Sequence, residues 1–260
     1  MSNWRLACAA VAGVSHQDQG VPCQDKVIAR SNKTADMIAL ADGAGSAKLS
    51  HFGADRVLDG VSRLFFDEPE FFFRTPRQEV KELVATTILS ELKGLSRDLS
   101  CDLYDLSSTF LFFATLHNRY VSFHIGDGVI GVMNGLEPTV LSHPYNGRYA
   151  SITRFTTDPD LMDALRMRRG DASKISAAIL MSDGSSTSLY KETEGELVKA
   201  VLKLFVACKE NDETTMNRLL EETIEDQLTQ KTGDDCSIAL MARNKSKLNR
   251  AYGRTYSRSI

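Results

Sequence analysis

The order of apolar and polar positions predicts blocks of strands separated by pairs of helices. Short apolar runs between polar or Gly- and Pro-containing stretches predict strands over residues 6–14, 26–30, 36–41, 108–116, 120–125, 129–133, 139–142, 176–181 and 236–242. Apolar residues at helical spacing predict helices over residues 52–66, 80–95, 197–205 and 216–224, with Thr75-Pro76 as the cap and first position of the second. Residues 144–174 are predicted to be irregular.

Two connections are predicted to be hairpins, the polar residues 117–119 and the dipeptide Asn134-Gly135. The strands do not alternate one by one with helices, as βαβ units do. We therefore expect an α+β fold whose mostly antiparallel sheets carry helices on their outer faces. Residues 1–243 are predicted to form one domain, because no repeat or linker divides them. Residues 244–260 carry only basic charges and are predicted to be a flexible tail.

Charge and hydrophobicity argue against several classes of protein. The 260 residues contain 31 lysines and arginines against 34 acids, so nothing favours nucleic acid or an anionic membrane as partner. The first residues lack a signal-peptide pattern, and no apolar run approaches the roughly 18 residues of a membrane span. The five cysteines are scattered without a C-x-x-C pair, so we expect no disulfide framework, no zinc site and a cytoplasmic location.

The candidate chemistry lies in aspartates at the ends of predicted strands. An apolar run ends in Asp-Gly at Asp42, Asp127 and Asp183. Asp234 stands in a reversed arrangement before the last strand, and Asp25 also precedes a strand. Carboxylates at strand ends can meet at one rim of a sheet, and Mg²⁺ and Mn²⁺ prefer such oxygen ligands. Two ions held there can drive in-line attack on a phosphoryl group.

A simpler interpretation is that each Asp-Gly marks a tight turn. Asp59-Gly60 lies inside a predicted helix, which shows that the dipeptide also arises by chance. The pattern by itself therefore leaves turns and a metal site as equal alternatives.

Five short motifs, taken in order, resemble those of the PP2C (PPM) metal-dependent protein phosphatases, in particular short single-domain bacterial members. Each motif is weak alone, whereas their common order is specific. They are Cys23-Gln24-Asp25, Ala41-Asp42-Gly43-Ala44-Gly45, Ile125-Gly126-Asp127, Met181-Ser182-Asp183-Gly184 and Gly233-Asp234-Asp235-Cys236-Ser237. The resemblance implies a sandwich of two mostly antiparallel sheets flanked by pairs of helices.

The resemblance also implies the reaction, which is hydrolysis of phosphoserine and phosphothreonine by direct attack of a metal-bridging hydroxide. Two core Mn²⁺ or Mg²⁺ ions and a third, weaker site are implied. Asp42, Asp183 and Asp234 would act in catalysis through that hydroxide. The implied metal ligands are Asp42, bridging both core ions, the Gly43 carbonyl, Asp183 and Asp234 at the first ion, Asp25 at the second and Asp127 at the third.

Three positions depart from the family pattern. Gly20 stands where the family carries a phosphate-binding arginine. Ala44 replaces a histidine that some eukaryotic members use as a proposed general acid, and Asp235 replaces the usual asparagine. Candidates for the missing phosphate contact are His16, Lys48 and Arg30.

The implied partners are phosphorylated Ser/Thr proteins, made by a bacterial Ser/Thr kinase, and we expect a monomer. Gly20 and Asp235 leave open a catalytically silent relative that binds phosphoproteins or scaffolds a kinase. A third alternative is a metallohydrolase of small phosphoesters, which would turn over phosphoproteins poorly.

Overall fold

The computed structural model describes residues 4–145 and 153–244. Its strands are β1 (Trp4–Val11), β2 (Lys26–Ser31), β3 (Ala35–Ala41), β4 (Phe110–Leu116), β5 (Arg119–Ile125), β6 (Val129–Asn134), β7 (Glu137–Ser142), β8 (Arg166–Asp171), β9 (Ile175–Met181), β10 (Tyr190–Lys191), β11 (Glu196–Leu197) and β12 (Cys236–Arg243). Its α-helices are α1 (Val14–Gln19), α2 (Ser50–Asp67), α3 (Phe71–Arg74), α4 (Arg77–Leu99), α5 (Leu161–Ala164), α6 (Asp183–Leu189), α7 (Lys199–Glu210), α8 (Glu213–Thr223) and α9 (Thr229–Thr232). A 3₁₀ turn spans Leu103–Leu106, and a π-helical turn, Ile224–Leu228, joins α8 to α9.

Two five-stranded antiparallel sheets form the centre of the fold. The first sheet has the order β1-β12-β9-β6-β7, and the second has the order β2-β3-β4-β5-β8. The first and last strands of the chain are neighbours, with Val11 opposite Cys236. Both predicted hairpins are confirmed, because β4 pairs with β5 and β6 pairs with β7.

The two sheets pack face to face, as strand β4 illustrates. Leu111 and Phe113 point into an inner core shared with Ile130 and Leu180 of the first sheet. Phe112 and its alternate neighbours point the other way, into an outer core covered by α2 and α4. Because both faces of β4 are buried, its sequence is apolar at every position except Thr115 and does not alternate.

A second outer core lies on the far face of the first sheet. Phe205 of α7 and Leu220 of α8 pack there against Ile179 and Leu240. The layers therefore run helix, sheet, sheet, helix. The predicted α+β sandwich of two antiparallel sheets flanked by helices is confirmed.

Strand β8 corrects the prediction of an irregular stretch over residues 144–174. Its sequence, RMRRGD, lacks an apolar pattern because it is an edge strand whose arginines bind backbone. Arg169 donates to the carbonyls of Thr75 and Phe72, at 2.6 and 3.3 Å, while Met167 packs on the outer core. Polar anchoring of this kind leaves no hydrophobic signal.

Smaller corrections concern helix boundaries. The first strand ends at Val11, and α1 begins at Val14, where the pattern predicts a continuing strand. Helix α6, which directly follows β9, is also missed, since it buries mainly small residues that carry little hydrophobic signal. Pro76 is the N-cap of α4 rather than its first residue.

No helix in the described ranges is both long and apolar enough to cross a membrane. The predicted tail lies beyond the described residues except for Asn244, which accepts a hydrogen bond from the Arg5 side chain at 2.9 Å.

Candidate functional site

Three strand-end aspartates meet at one rim of the sandwich. Asp42 follows β3, Asp127 follows β5 of the same sheet, and Asp183 follows β9 of the opposite sheet. Each offers a carboxylate oxygen, and these three oxygens lie within 4.8 Å of one another. The two sheets are needed together, because neither sheet alone carries all three side chains.

The three aspartates line a cavity of about 170 Å³. Asp234 and Asp235, which precede β12, line the same cavity, as does Gly43. Five carboxylates therefore face one small space. The Asp-Gly dipeptides are thus more than turns, although a turn interpretation of each one was equally consistent with the sequence.

Crowding and burial disfavour negative charge in this cluster. Burial, followed by the charges of Asp25 and Asp183, raises the pKa of Asp42 well above its ordinary value. Burial also raises the pKa of Asp183, with further contributions from Asp127 and Asp234. A bound cation would remove this repulsion.

Asp25 lies beside Asp42 and is only 1% exposed. Neither of its carboxylate oxygens has a hydrogen-bond partner, which is rare for a buried acid. Burial raises the pKa of Asp25 to about 7, against the opposing effect of the nearby Ser237 hydroxyl. Buried, unpartnered carboxylate oxygens beside a cluster of three others fit a hard divalent cation, which takes oxygen ligands.

Two threonines support the cluster. The hydroxyl of Thr109 accepts a hydrogen bond from the Asp42 backbone N–H at 2.9 Å, and the Asp42 carbonyl accepts from the Thr109 N–H at 2.7 Å. The Thr153 hydroxyl donates to Asp127 at 2.5 Å. Sequence reasoning missed both threonines, since neither stands in a recognisable motif.

Two glycines hold the Asp234-Asp235 dipeptide between them. A Cβ on Gly13 would lie 2.2 Å from the Asp234 carbonyl carbon, and one on Gly184 would lie 2.2 Å from the Asp235 carbonyl oxygen. Both contacts are with backbone, which cannot swing aside as a side chain can. The position of Asp234 in the cavity therefore depends on both glycines.

We expect Gly13→Ala to lower the free energy of unfolding by about 1–3 kcal/mol, because the added methyl group must displace the Asp234 backbone. Gly94→Ala is the matched control. A Cβ at Gly94 has open space within helix α4, so this change should stabilise the protein by roughly 0.5–1 kcal/mol. Urea unfolding of both variants measures the difference, and equal stability of the two would contradict the close approach.

The three candidate phosphate contacts lie at different places in the structure, and only one of them lines the cavity. His16 lines the cavity and is bonded through Nδ1 to Asp235 at 2.9 Å. Lys48 is exposed and is not among the residues that line the cavity. Arg30 donates to Ser62 and Asp59 on α2, outside the cavity. Only His16 of these three is therefore placed to contact a ligand in the cavity.

Comparison with known proteins agrees with this architecture. A family model described as Protein phosphatase 2C matches residues 12–229, a range that ends shortly before Asp234. Serine/threonine-protein phosphatase 3 of Escherichia coli (strain K12) is 27% identical over 184 residues, which are 67% of this chain and 72% of that protein.

Solved structures share the fold at low sequence identity. The serine/threonine phosphatase of S. agalactiae superposes with a TM-score of 0.64 at 16% identity, over 93% of this chain and 100% of that one. Serine/threonine phosphatase Stp1 from Staphylococcus aureus superposes with a TM-score of 0.62 at 15% identity, over 91% of this chain and 94% of the other. With a family match that covers most of its length, the chain belongs to the protein phosphatase 2C family of serine/threonine phosphatases.

Proposed function

We propose that this chain is a metal-dependent phosphatase that hydrolyses phosphoserine and phosphothreonine in proteins by direct attack of an activated water. The observation that carries the proposal is that Asp42, Asp127 and Asp183 line one cavity with carboxylate oxygens within 4.8 Å of one another. Family membership supplies the substrate class, and the acidic cluster supplies the reason to expect divalent cations.

The proposed ligands divide by position. Asp42, the Gly43 carbonyl, Asp183 and Asp234 all line the cavity and would hold the core ions. Asp25, buried behind Asp42, would support the second ion directly or through water, and Asp127 would hold a third, weaker ion. All of these are oxygen donors, so Mn²⁺ or Mg²⁺ fits better than zinc.

Cations bound there would supply the activated water and would neutralise phosphoryl charge. The residues of the chain do the rest. The two sheets hold the carboxylates at fixed separations, and His16 offers the phosphoryl group an imidazole side chain in a cavity lined by five aspartates. Ala44 has no acidic proton to donate, so the leaving group must take its proton from elsewhere.

The proposal also extends to partners and context. We infer that the substrates are proteins phosphorylated by a bacterial Ser/Thr kinase, that the protein works as a monomer in the cytoplasm, and that residues 1–243 form the phosphatase domain. The scattered cysteines support a reducing compartment.

The first test is release of phosphate from a phosphothreonine peptide with Mn²⁺ or Mg²⁺, with a chelator, and with a phosphotyrosine peptide for comparison. We expect turnover only with a divalent cation and only on the phosphothreonine peptide.

Asp183→Ala should lower kcat/KM by at least about 100-fold, because it removes a carboxylate from the cluster. Asp163→Ala, an exposed aspartate of α5, is the matched control and should leave turnover unchanged.

Two outcomes would overturn the proposal. Folded wild-type protein that binds Mn²⁺ but releases no phosphate would favour the silent, phosphoprotein-binding relative. Rapid turnover of small phosphoesters with poor turnover of phosphoproteins would favour the small-molecule hydrolase.

A further inference from the structure

Asp235 is a buried carboxylate with a complete set of hydrogen-bond donors. It is 3% exposed, and its Oδ1 accepts from the Gly13 N–H at 2.8 Å and is hydrogen-bonded to His16 Nδ1 at 2.9 Å. Its Oδ2 accepts from the Gln24 N–H at 2.6 Å. The two backbone groups can only donate, so both oxygens of Asp235 must accept.

An asparagine at this position would not satisfy the same donors. Its amide nitrogen would face either the Gln24 N–H or the donors on Oδ1, and two donors repel each other. The carboxylate is therefore matched to this local arrangement, in which α1 lies close enough for His16 to bond to residue 235.

The bond to Asp235 determines how the His16 ring is presented. The hydrogen bond holds the ring by Nδ1, so Nε2 is the one polar atom of the ring that this bond does not engage. Within the described residues the ring makes no other hydrogen bond. Nε2 is thus left for a ligand, and the ring, 21% exposed, borders the cavity.

The charge of the cavity gives His16 a specific use. Of the described residues that line it, five are aspartates and His16 alone can be positively charged. A phosphoryl group entering this space meets carboxylates on several sides, even when cations neutralise some of them. An imidazole Nε2–H group is a hydrogen-bond donor of the kind that a phosphoryl oxygen accepts.

We propose that His16 binds the phosphoryl oxygens of the substrate through Nε2 and that Asp235 is the positioning residue that holds it there. This inference rests on the proposed function for its substrate, and it adds to that function a histidine–aspartate pair that lines the cavity.

The test measures binding of inorganic phosphate to the Mn²⁺-loaded full chain by calorimetry, together with KM and kcat for a phosphothreonine peptide. His16→Ala and Asp235→Asn should each weaken phosphate binding about 10- to 100-fold, the range expected for a hydrogen bond to a charged group. KM should rise by a similar factor. The double variant should be no weaker than His16→Ala alone, because both changes remove the same contact.

Two controls distinguish the positioning of His16 by Asp235 from a general perturbation of the structure. Gln19→Ala, at an exposed position of the same helix, should bind phosphate as the wild type does. Affinity for Mn²⁺ should be unchanged in His16→Ala, since His16 is outside the carboxylate cluster. Additive losses in the double variant, or equal losses of Mn²⁺ affinity, would overturn the inference and give Asp235 a purely structural role.

The outcomes also distinguish this inference from the proposed function. If phosphate binding falls in the variants but the wild type hydrolyses no phosphopeptide, the His16–Asp235 inference is supported and the proposed function is overturned. If the wild type hydrolyses phosphopeptides and the variants bind phosphate normally, the His16–Asp235 inference is overturned and the proposed function is supported. Wild-type protein that neither hydrolyses phosphopeptides nor binds phosphate would overturn both.

Discussion

Asp42→Asn is expected to abolish phosphatase activity while making the metal-free protein more stable. Burial and the charges of Asp25 and Asp183 raise the pKa of Asp42, so its ionised form is disfavoured where no cation offsets it. An asparagine of the same shape carries no charge and can still donate to Asp183. We expect kcat/KM to fall by at least about 1,000-fold, as for loss of a preorganised charge-stabilising group.

The gain in stability should be about 0.5–2 kcal/mol, or roughly 1–8 °C in the thermal midpoint, when cations are chelated. With saturating Mn²⁺ the wild type should be more stable than Asp42→Asn, because it binds the cation more tightly and is stabilised by mass action. Thermal unfolding with and without Mn²⁺ measures both. A variant that is less stable than wild type under both conditions would show that Asp42 contributes packing rather than a strained charge.

Stability of the chelated protein is expected to fall as the pH rises from about 4 to about 7, through Asp25. Its pKa in the folded protein is about 7, against an ordinary 3.8. Below pH 3.8 the carboxyl is protonated in both states. Between the two values the unfolded chain loses this proton while the folded protein keeps it, so rising pH favours unfolding. For Asp25 the total effect is up to about 4 kcal/mol.

Asp25→Asn removes this carboxyl together with the charge that helps to raise the pKa of Asp42, so the comparison with wild type measures the joint contribution of the two residues. The difference in unfolding free energy between Asp25→Asn and wild type, measured by urea unfolding in a chelator, should grow from near zero at pH 4 to its maximum above pH 7. Saturating Mn²⁺ should diminish the difference. A difference that stays constant with pH would contradict the raised pKa.

Much of the fold was predictable because its signals are local. Strands β3, β4 and β9 are buried on both faces, so each is apolar except at one position and stands out from the polar turns around it. Helix α2 carries its apolar residues at helical spacing along one face. Strand β8 was not predictable in this way, because its residue Arg169 binds the carbonyls of Phe72 and Thr75, more than 90 positions away.

The candidate site also has one part that local sequence predicts and another that depends on tertiary structure. The sequence alone determined which aspartates end strands, since Asp42, Asp127 and Asp183 each stand within two residues of the end of an apolar run. The tertiary structure decided that their oxygens lie within 4.8 Å of one another, because that distance depends on how the two sheets pack.

The pairing of His16 with Asp235 depends still more on tertiary structure. The two residues are 219 positions apart, and they meet because β1 pairs with β12 along its whole length, which brings α1 beside the segment before β12. Sequence reasoning noticed the two residues separately, His16 as a candidate phosphate contact and Asp235 as a departure from a family pattern. Local sequence determines which chemical groups the chain carries, whereas long-range strand pairing and sheet packing determine which of those groups share a cavity.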